Sequence, residues 1–410
     1  MRRSTILLLC LSVATACDKK TSSSGSAATK GSGSSGGAAA AKAAGTGSGS
    51  AGNLGDKLAK AIGSAIKGGA KGSGGGKPQI TPEQYEKLIL GLVGCKITRH
   101  GRLGRKCAGY KALSEARSAG ATVKDFVGHS HKLGIKLLKH EDEAVRWYAA
   151  GLLKSFFGVH ADAQKAVLAA APEEKSPYVL ARMIYAVGKA ASKNADIAAW
   201  LMKMADHEHA QVRKQALAYL ASASGVAGRY EKFVEKMTKD PDVEVRRHAC
   251  RYAGRLGDER LVKTYKKLTR TVSEKTEALY ADCMRGLLTM WNPFMGTHKL
   301  SEEAYKLTLA RIARRPRSEF NPPWIMMSAF GRRPRSNPSW YNEKAVRTLL
   351  VDVALDRRAR WLARSGAARA LGKLRARKQL EQLKKRLSAK KDFDSRNVLK
   401  VVNKQLSRMS

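Results

Sequence analysis

In the stretch DPDVEVRRHACRYAGRLGDERLVKTYKKL, residues 240–268, apolar positions recur every three or four residues with polar ones between them. That is the period of a helix with one buried face. Val245, Ala249 and Ala253 form the stripe of a first helix. Asp240 is placed to cap it, Pro241 to fill its first position, where a missing N–H costs nothing, and Asp242 and Glu244 to bring negative charge to its first turn. Gly257 suits a left-handed stop, Asp258 is placed to cap a second helix, and Leu261, Tyr265 and Leu268 make its stripe. Two helices that are each apolar on one side need neighbours.

The neighbours come at a fixed step. Val145, Val179, Val212 and Val245 stand 34, 33 and 33 residues apart. In EAVRWYAAGLL, AQVRKQALAYL and VEVRRHACRYA the valine is followed by Arg146, Arg213 and Arg246, with small or apolar residues four and eight places on, and SPYVLARMIYAV fills the gap. Such a period marks a chain built from repeated helix pairs. The run Asp-x-x-x-x-Val-Arg-x-x-Ala, matched best from Asp240 to Ala249, resembles the opening of the short HEAT-like repeats, of the kind also found in phycobilisome-lyase proteins. Tetratricopeptide and ankyrin signatures are absent. The resemblance implies an all-α fold, an α-solenoid of stacked antiparallel helix pairs. It also implies that Arg146, Arg213, Arg246 and Arg364 form a ladder between repeats by pairing with the aspartate that opens the motif, as the spacing of Asp240 and Arg246 suggests. The alternative for the same arginines is a row that binds anions along one surface.

The rest of the chain divides around this array. Arg2 and Arg3 precede the apolar run Ile6 to Val13, which is too short to span a bilayer and ends in Ala14-Thr15-Ala16-Cys17. Residues 1–16 look like a bacterial lipoprotein signal, which implies acylation of Cys17; an ordinary cleaved secretory signal is the alternative. Asp18 resembles the residue that retains some lipoproteins in the inner membrane. Residues 17–79 are Gly, Ser, Ala, Thr and Lys with few core formers and read as a disordered tether. Within it, Leu54, Leu58, Ile62 and Ile66 with Lys57, Lys60 and Lys67 outline a short basic amphipathic helix. Residues 80–139 read as capping helices that open at Thr81-Pro82-Glu83, residues 140–290 as the regular repeats, residues 291–342 as an irregular proline- and arginine-rich insertion, and residues 343–410 as a last repeat and cap.

Charge changes the functional picture. The chain has 77 Lys and Arg against 34 Asp and Glu, a net charge of +43, so anionic partners are expected. Two basic, proline-stiffened loops carry aromatics: RRPRSEFNPPW from Arg314 to Trp324 and RRPRSNPSW from Arg332 to Trp340. A run from Arg357 to Lys391 follows with fourteen basic residues and one acid, Glu381. Arg314, Arg315, Arg317, Arg332, Arg333, Arg335, Arg357, Arg358 and Arg360 are therefore the candidate partner-binding residues, because guanidinium forks suit phosphate and carboxylate. Four cysteines remain beyond Cys10 and Cys17, and they form two natural pairs, Cys95 with Cys107 and Cys250 with Cys283, the latter with buried thiols as the alternative.

No catalytic or cofactor chemistry is expected. Walker loops, dinucleotide fingerprints, serine or cysteine nucleophile motifs and HExxH are absent. His129 with His131 and His207 with His209 are two apart and point to different sides of a helix, and Cys95, His100 and Cys107 lack a fourth zinc ligand, so no metal site is assigned. The expectation is a non-catalytic, membrane-anchored scaffold for a protein or anionic polymer of the bacterial envelope, with no small-molecule substrate. DNA capture outside the cytoplasm and, less favoured, a lyase-like HEAT-repeat enzyme are the alternatives.

Overall fold

The computed structural model describes residues 79–409, apart from 119–121, 124–125, 155–159, 224, 227, 293–297, 315–316 and 318–321. Cys17, the low-complexity stretch and the Leu54 to Ile66 pattern lie outside the described residues. The described chain is all-helical save for one two-residue parallel pair. In order it runs β1 (Gln79–Ile80), α1 (Pro82–Leu90), α2 (Ala108–Ser118), β2 (Thr122–Val123), α3 (Phe126–Leu137), α4 (Glu143–Leu152), α5 (Ala161–Ala170), α6 (Pro177–Val187), α7 (Ala195–Met204), α8 (Ala210–Leu220), α9 (Arg229–Thr238) and α10 (Val243–Ala253). It continues with α11 (Leu261–Leu268), α12 (Glu277–Trp291), α13 (Glu302–Ala313), α14 (Trp324–Met327), α15 (Glu343–Leu355), α16 (Trp361–Lys373), α17 (Arg377–Ser388) and α18 (Phe393–Leu406). β1 pairs Gln79 with Thr122 and Ile80 with Val123, a small tie that the sequence pattern did not announce.

Helix starts follow from capping side chains. Thr81 and Gln84 form a reciprocal capping box ahead of Pro82, and Asp142, Ser176, Asn194, Ser301, Asn342 and Asp392 each accept a backbone N–H of the first turn of their helix. At α10 the cap is Asp242, which accepts from Val245 N at 3.0 Å. The expectation that Asp240 caps this helix is corrected, because the Asp240 carboxylate is committed elsewhere, as described below. Asp258 likewise accepts from Arg260 N in the turn before α11 rather than standing at the N-cap.

The valine register sits at the centre of the packing. Val145, Val179, Val212 and Val245 are fully buried, as are Ala149, Met183, Ala216 and Ala249 one turn on and Leu153, Val187, Leu220 and Ala253 two turns on. Along this seam α4, α6, α8, α10 and α12 each pack against the next. On the other side α3 touches α5, α5 touches α7, α9 touches α11, α11 touches α13 and α13 touches α15. Alternate helices therefore lie in two rows, and alanine at the fourth place in three of the four units lets the first row close tightly.

Arginines join successive units of the first row. Each of Arg146, Arg213 and Arg246 turns one guanidinium nitrogen back to two carbonyls, six and five residues earlier: His140 and Glu141, His207 and Glu208, Asp240 and Pro241. Arg146 then grips Glu174 at 2.8 and 3.0 Å, and Arg213 grips Asp240 at 2.8 and 2.9 Å. The pairing of Arg246 with the Asp240 side chain is thus corrected. Both Asp240 oxygens are taken by Arg213, one of them also accepts Asp242 N at 3.0 Å, and Arg246 is left with the main-chain carbonyls. Arg364, the fourth member, lies buried in α16 and donates to Ala354 O and Ser395 Oγ, both at 3.0 Å.

Two disulfides sit at the tightest contacts. Cys95 bonds Cys107 and Cys250 bonds Cys283, with Cα separations of 5.6 and 4.5 Å. Beside the second, α10 and α12 meet through glycines: a Cβ on Gly254 would lie 2.0 Å from Gly286 O, and one on Gly109, beside the first, 1.9 Å from Gly91 O. The region after α12 has its own aromatic core. Trp291 is fully buried, donates Nε1–H to Thr308 Oγ1 at 3.2 Å and packs on Tyr305, Phe330 and Tyr341, with Trp340 against Tyr305. Trp340 is thereby part of this core, whereas Trp324 is 43% exposed.

Candidate anion-binding surface

The arginines picked out in the proline-rich loops do not form one open patch. Arg317 is corrected outright: it is 3% exposed, donates to Ile312 O and Asp352 O, and pairs with Asp356 at 3.1 Å. A guanidinium enclosed in this way holds the loop against α15 and is closed to an outside partner. Arg333 pairs with Glu343, whose carboxyl is held below its ordinary range first by that bond and then, against some desolvation, by Arg347. Arg360 pairs with Glu277 at 2.9 Å, and Arg314 donates to Arg270 O. Arg357 faces Asp392 at 3.6 Å in an open depression of about 370 Å³ also lined by Arg364, Phe393 and Asp394, where two carboxylates disfavour an anion. Arg332 is half-buried, Arg335 and Arg358 are exposed, and Arg315 lies outside the described residues.

The end of the basic run is different. In α17, Leu380, Leu383 and Leu387 face inward, and Arg377, Lys378, Lys384, Lys385 and Arg386 are exposed, with Lys390 and Lys391 exposed just beyond. Among the described residues Glu381 pairs only with Arg377, at 4.0 Å. The amphipathic spacing that buries three leucines necessarily gathers the cations on the remaining arc, and no carboxylate pairs with Lys378, Lys384, Lys385 or Arg386 among the described residues. Four of the cations on this arc therefore stand exposed without a carboxylate partner among the described residues. The arc lies inside the run from Arg357 to Lys391, though downstream of the arginines chosen from the sequence.

A second constellation, missed in the sequence, runs across the first row. Arg182 on α6 stacks over Trp147 of α4 at 4.5 Å and over Tyr185 at 4.9 Å, and Lys154 lies 3.6 Å from the centre of the Tyr185 ring. Tyr219 of α8 packs across Gly188 and donates to Tyr185 O at 3.1 Å. Burial first, and the Tyr185 phenol second, push the Tyr219 hydroxyl up to about 12. Arg255 stacks on Tyr252 at 4.6 Å, and Arg247, Arg251 and Arg285 converge on Asp282, whose side chain is 4% exposed. The Arg182 pKa is lowered, chiefly by burial, and its Nε meets no acceptor among the described residues. Tyr219 and Tyr252 share the seventh place after the repeat valines, a period that was legible, but Arg182 and Tyr185 belong to the one unit whose valine is not followed by arginine.

Among metal candidates from the sequence, Cys95 and Cys107 are bonded to each other, so their thiolates are not free to hold zinc with His100. No helix among the described residues is long and apolar enough to cross a membrane. Compared with known proteins, the chain matches no protein-family model and no curated sequence.

Proposed function

We propose that the chain is an α-solenoid of antiparallel helix pairs, HEAT-like in its Val-Arg register, tethered through an acylated Cys17 to a bacterial membrane. There it acts without catalysis as a scaffold for an anionic macromolecule of the envelope. Two features support the architecture: alternate helices pack in rows, and Arg146 and Arg213 each fasten their own unit to the one that follows. The address rests on the signal-like residues 1–17 and the tether composition. One observation carries the binding role. The outer arc of α17 exposes five cations against one glutamate, a field that repels itself unless an anion lies nearby.

Replacing Lys384, Lys385 and Arg386 together by Gln tests this, because all three side chains are exposed and the leucine stripe is kept. Against vesicles containing anionic lipid, each basic residue near the surface contributes about 1 kcal/mol, so the triple variant should bind more than about a hundredfold more weakly. Competition by duplex DNA, with a log-log salt slope about 2.7 shallower in the variant, would favour nucleic acid, the alternative partner. Unchanged binding of vesicles, acidic polysaccharide and duplex alike at low salt, with helix content intact, overturns the assignment.

A further inference from the structure

Two histidines and an aspartate that the repeat pattern does not use converge between α3 and α5. His131 projects from α3 with its side chain 11% exposed, while His160 and Asp162 stand two apart at the start of α5. One ligand atom from each of the three lies within 4.8 Å of the other two. His131 Nε2 and Asp162 Oδ1 are 2.8 Å apart, and the imidazole centroids of His131 and His160 are 4.4 Å apart. Asp162 is oriented by its own helix, since Oδ1 also accepts Ala163 N at 2.9 Å. His160 stands at the N-cap of α5, yet its side chain makes no capping bond and instead turns to the same point as the other two. A hydrogen bond between His131 and Asp162 alone has no use for that second imidazole.

We propose that His131, His160 and Asp162 bind a divalent transition-metal ion, with Zn²⁺ the best fit, and that the ion ties α3 to α5. Zinc sits about 2.0 to 2.1 Å from imidazole nitrogen and carboxylate oxygen, which places neighbouring ligand atoms of a tetrahedron about 3.3 Å apart. The observed spread brackets that distance, so small side-chain rotations close the set. Two nitrogens and one oxygen suit zinc, copper or nickel, whereas calcium and magnesium require cages of oxygen. Three protein ligands leave a fourth position for water or for a side chain from a partner. The site arises because residues two apart, His160 and Asp162, stand at the first turn of a helix, where the chain has not yet settled into the spacing that would part them.

The full-length chain, stripped of metal with a chelator, tests the proposal by titration with Co²⁺, whose tetrahedral complexes absorb in the visible. One equivalent per chain should develop the band, one equivalent of Zn²⁺ should discharge it, and zinc should raise the thermal midpoint. His160→Ala is the decisive variant, since His160 is exposed and its loss leaves the core intact. It and Asp162→Asn should each weaken zinc binding by at least about a hundredfold, measured against a chromophoric chelator, more than outer-shell changes usually do. His207→Ala with His209→Ala, on a different pair of units, should leave it unchanged. No visible band at excess cobalt, or a zinc affinity that His160→Ala does not alter, overturns the proposal.

Discussion

Replacing Asp240 by Ala probes how the first row is held. Its side chain is fully buried and accepts from Arg213 Nε and Nη2 at 2.9 and 2.8 Å, from Asp242 N at 3.0 Å and, more distantly, faces the Lys236 ammonium at 3.7 Å. Removing it leaves the Arg213 guanidinium, 9% exposed, without a carboxylate, a situation that costs about 3 to 5 kcal/mol. The lost bond to Asp242 N adds about 1 kcal/mol at most, since that amide can turn to water, so the whole is about 4 kcal/mol. Because the pair bridges α8 to the turn before α10, the loss falls on a boundary between units, and urea unfolding followed by far-UV circular dichroism should become broader or split in two. Arg333→Gln is the control: its pair with Glu343 has an arginine 60% exposed, and such pairs contribute less than about 1 kcal/mol. Arg213→Met with Asp240→Leu should recover most of the stability lost by Asp240→Ala, as an apolar pair replaces the ionic one. A loss below about 1 kcal/mol for Asp240→Ala, or one no greater than for Arg333→Gln, would refute the reasoning.

Three further outcomes are expected. Gly286→Ala would place a Cβ 2.1 Å from Tyr265 Oη and 2.2 Å from Cys250 O, and since a carbonyl cannot swing aside, thermal and urea unfolding should show a loss of about 3 kcal/mol, near the top of the range for overpacking. His248 is held below the ordinary imidazole range mainly by burial and also by Arg251 and Lys214, while its bond to Glu244 O works the other way. The unfolded chain therefore takes up the proton first, so stability is full above about pH 6.5 and falls as the pH drops below it; His248→Gln should flatten the difference in urea midpoint between about pH 8 and about pH 5. Intact mass of the mature protein from membranes should show acyl chains on an N-terminal Cys17, and Cys17→Ser should move the protein to soluble fractions; a mature chain without that added mass refutes the anchor.

Helix boundaries were largely legible because they depend on neighbours three or four residues away. Glu343 to Leu355 and Phe393 to Leu406 begin and end where the spacing placed them, and Gly257 takes the left-handed turn at φ 64°. Pairings across the structure were not. Asp240 and Asp242 are equally good caps by local preference, and what decides between them is Arg213, 27 residues upstream. Arg317, Arg333 and Arg360 looked available in the sequence because their carboxylates stand 39, 10 and 83 residues away. The same distance hid His131 from Asp162, 31 residues on, since a search within single helices weighs His129 against His131 and finds them on different sides. The basic run is positive by composition alone, and it is the leucine stripe of α17 that shows which of its cations face outward.

The bond between Cys250 and Cys283 also alters how the molecule answers to force and to proteases. A pull applied through the chain passes from one sulfur to the other, so the 33-residue interval is shunted out of the load path and about 110 Å of contour length stays unspent until the bond is reduced. A single protease cut inside that interval likewise leaves one covalent molecule. The half beyond α12 would stay attached to the half before α10 through such a nick, and only a reductant would set it adrift.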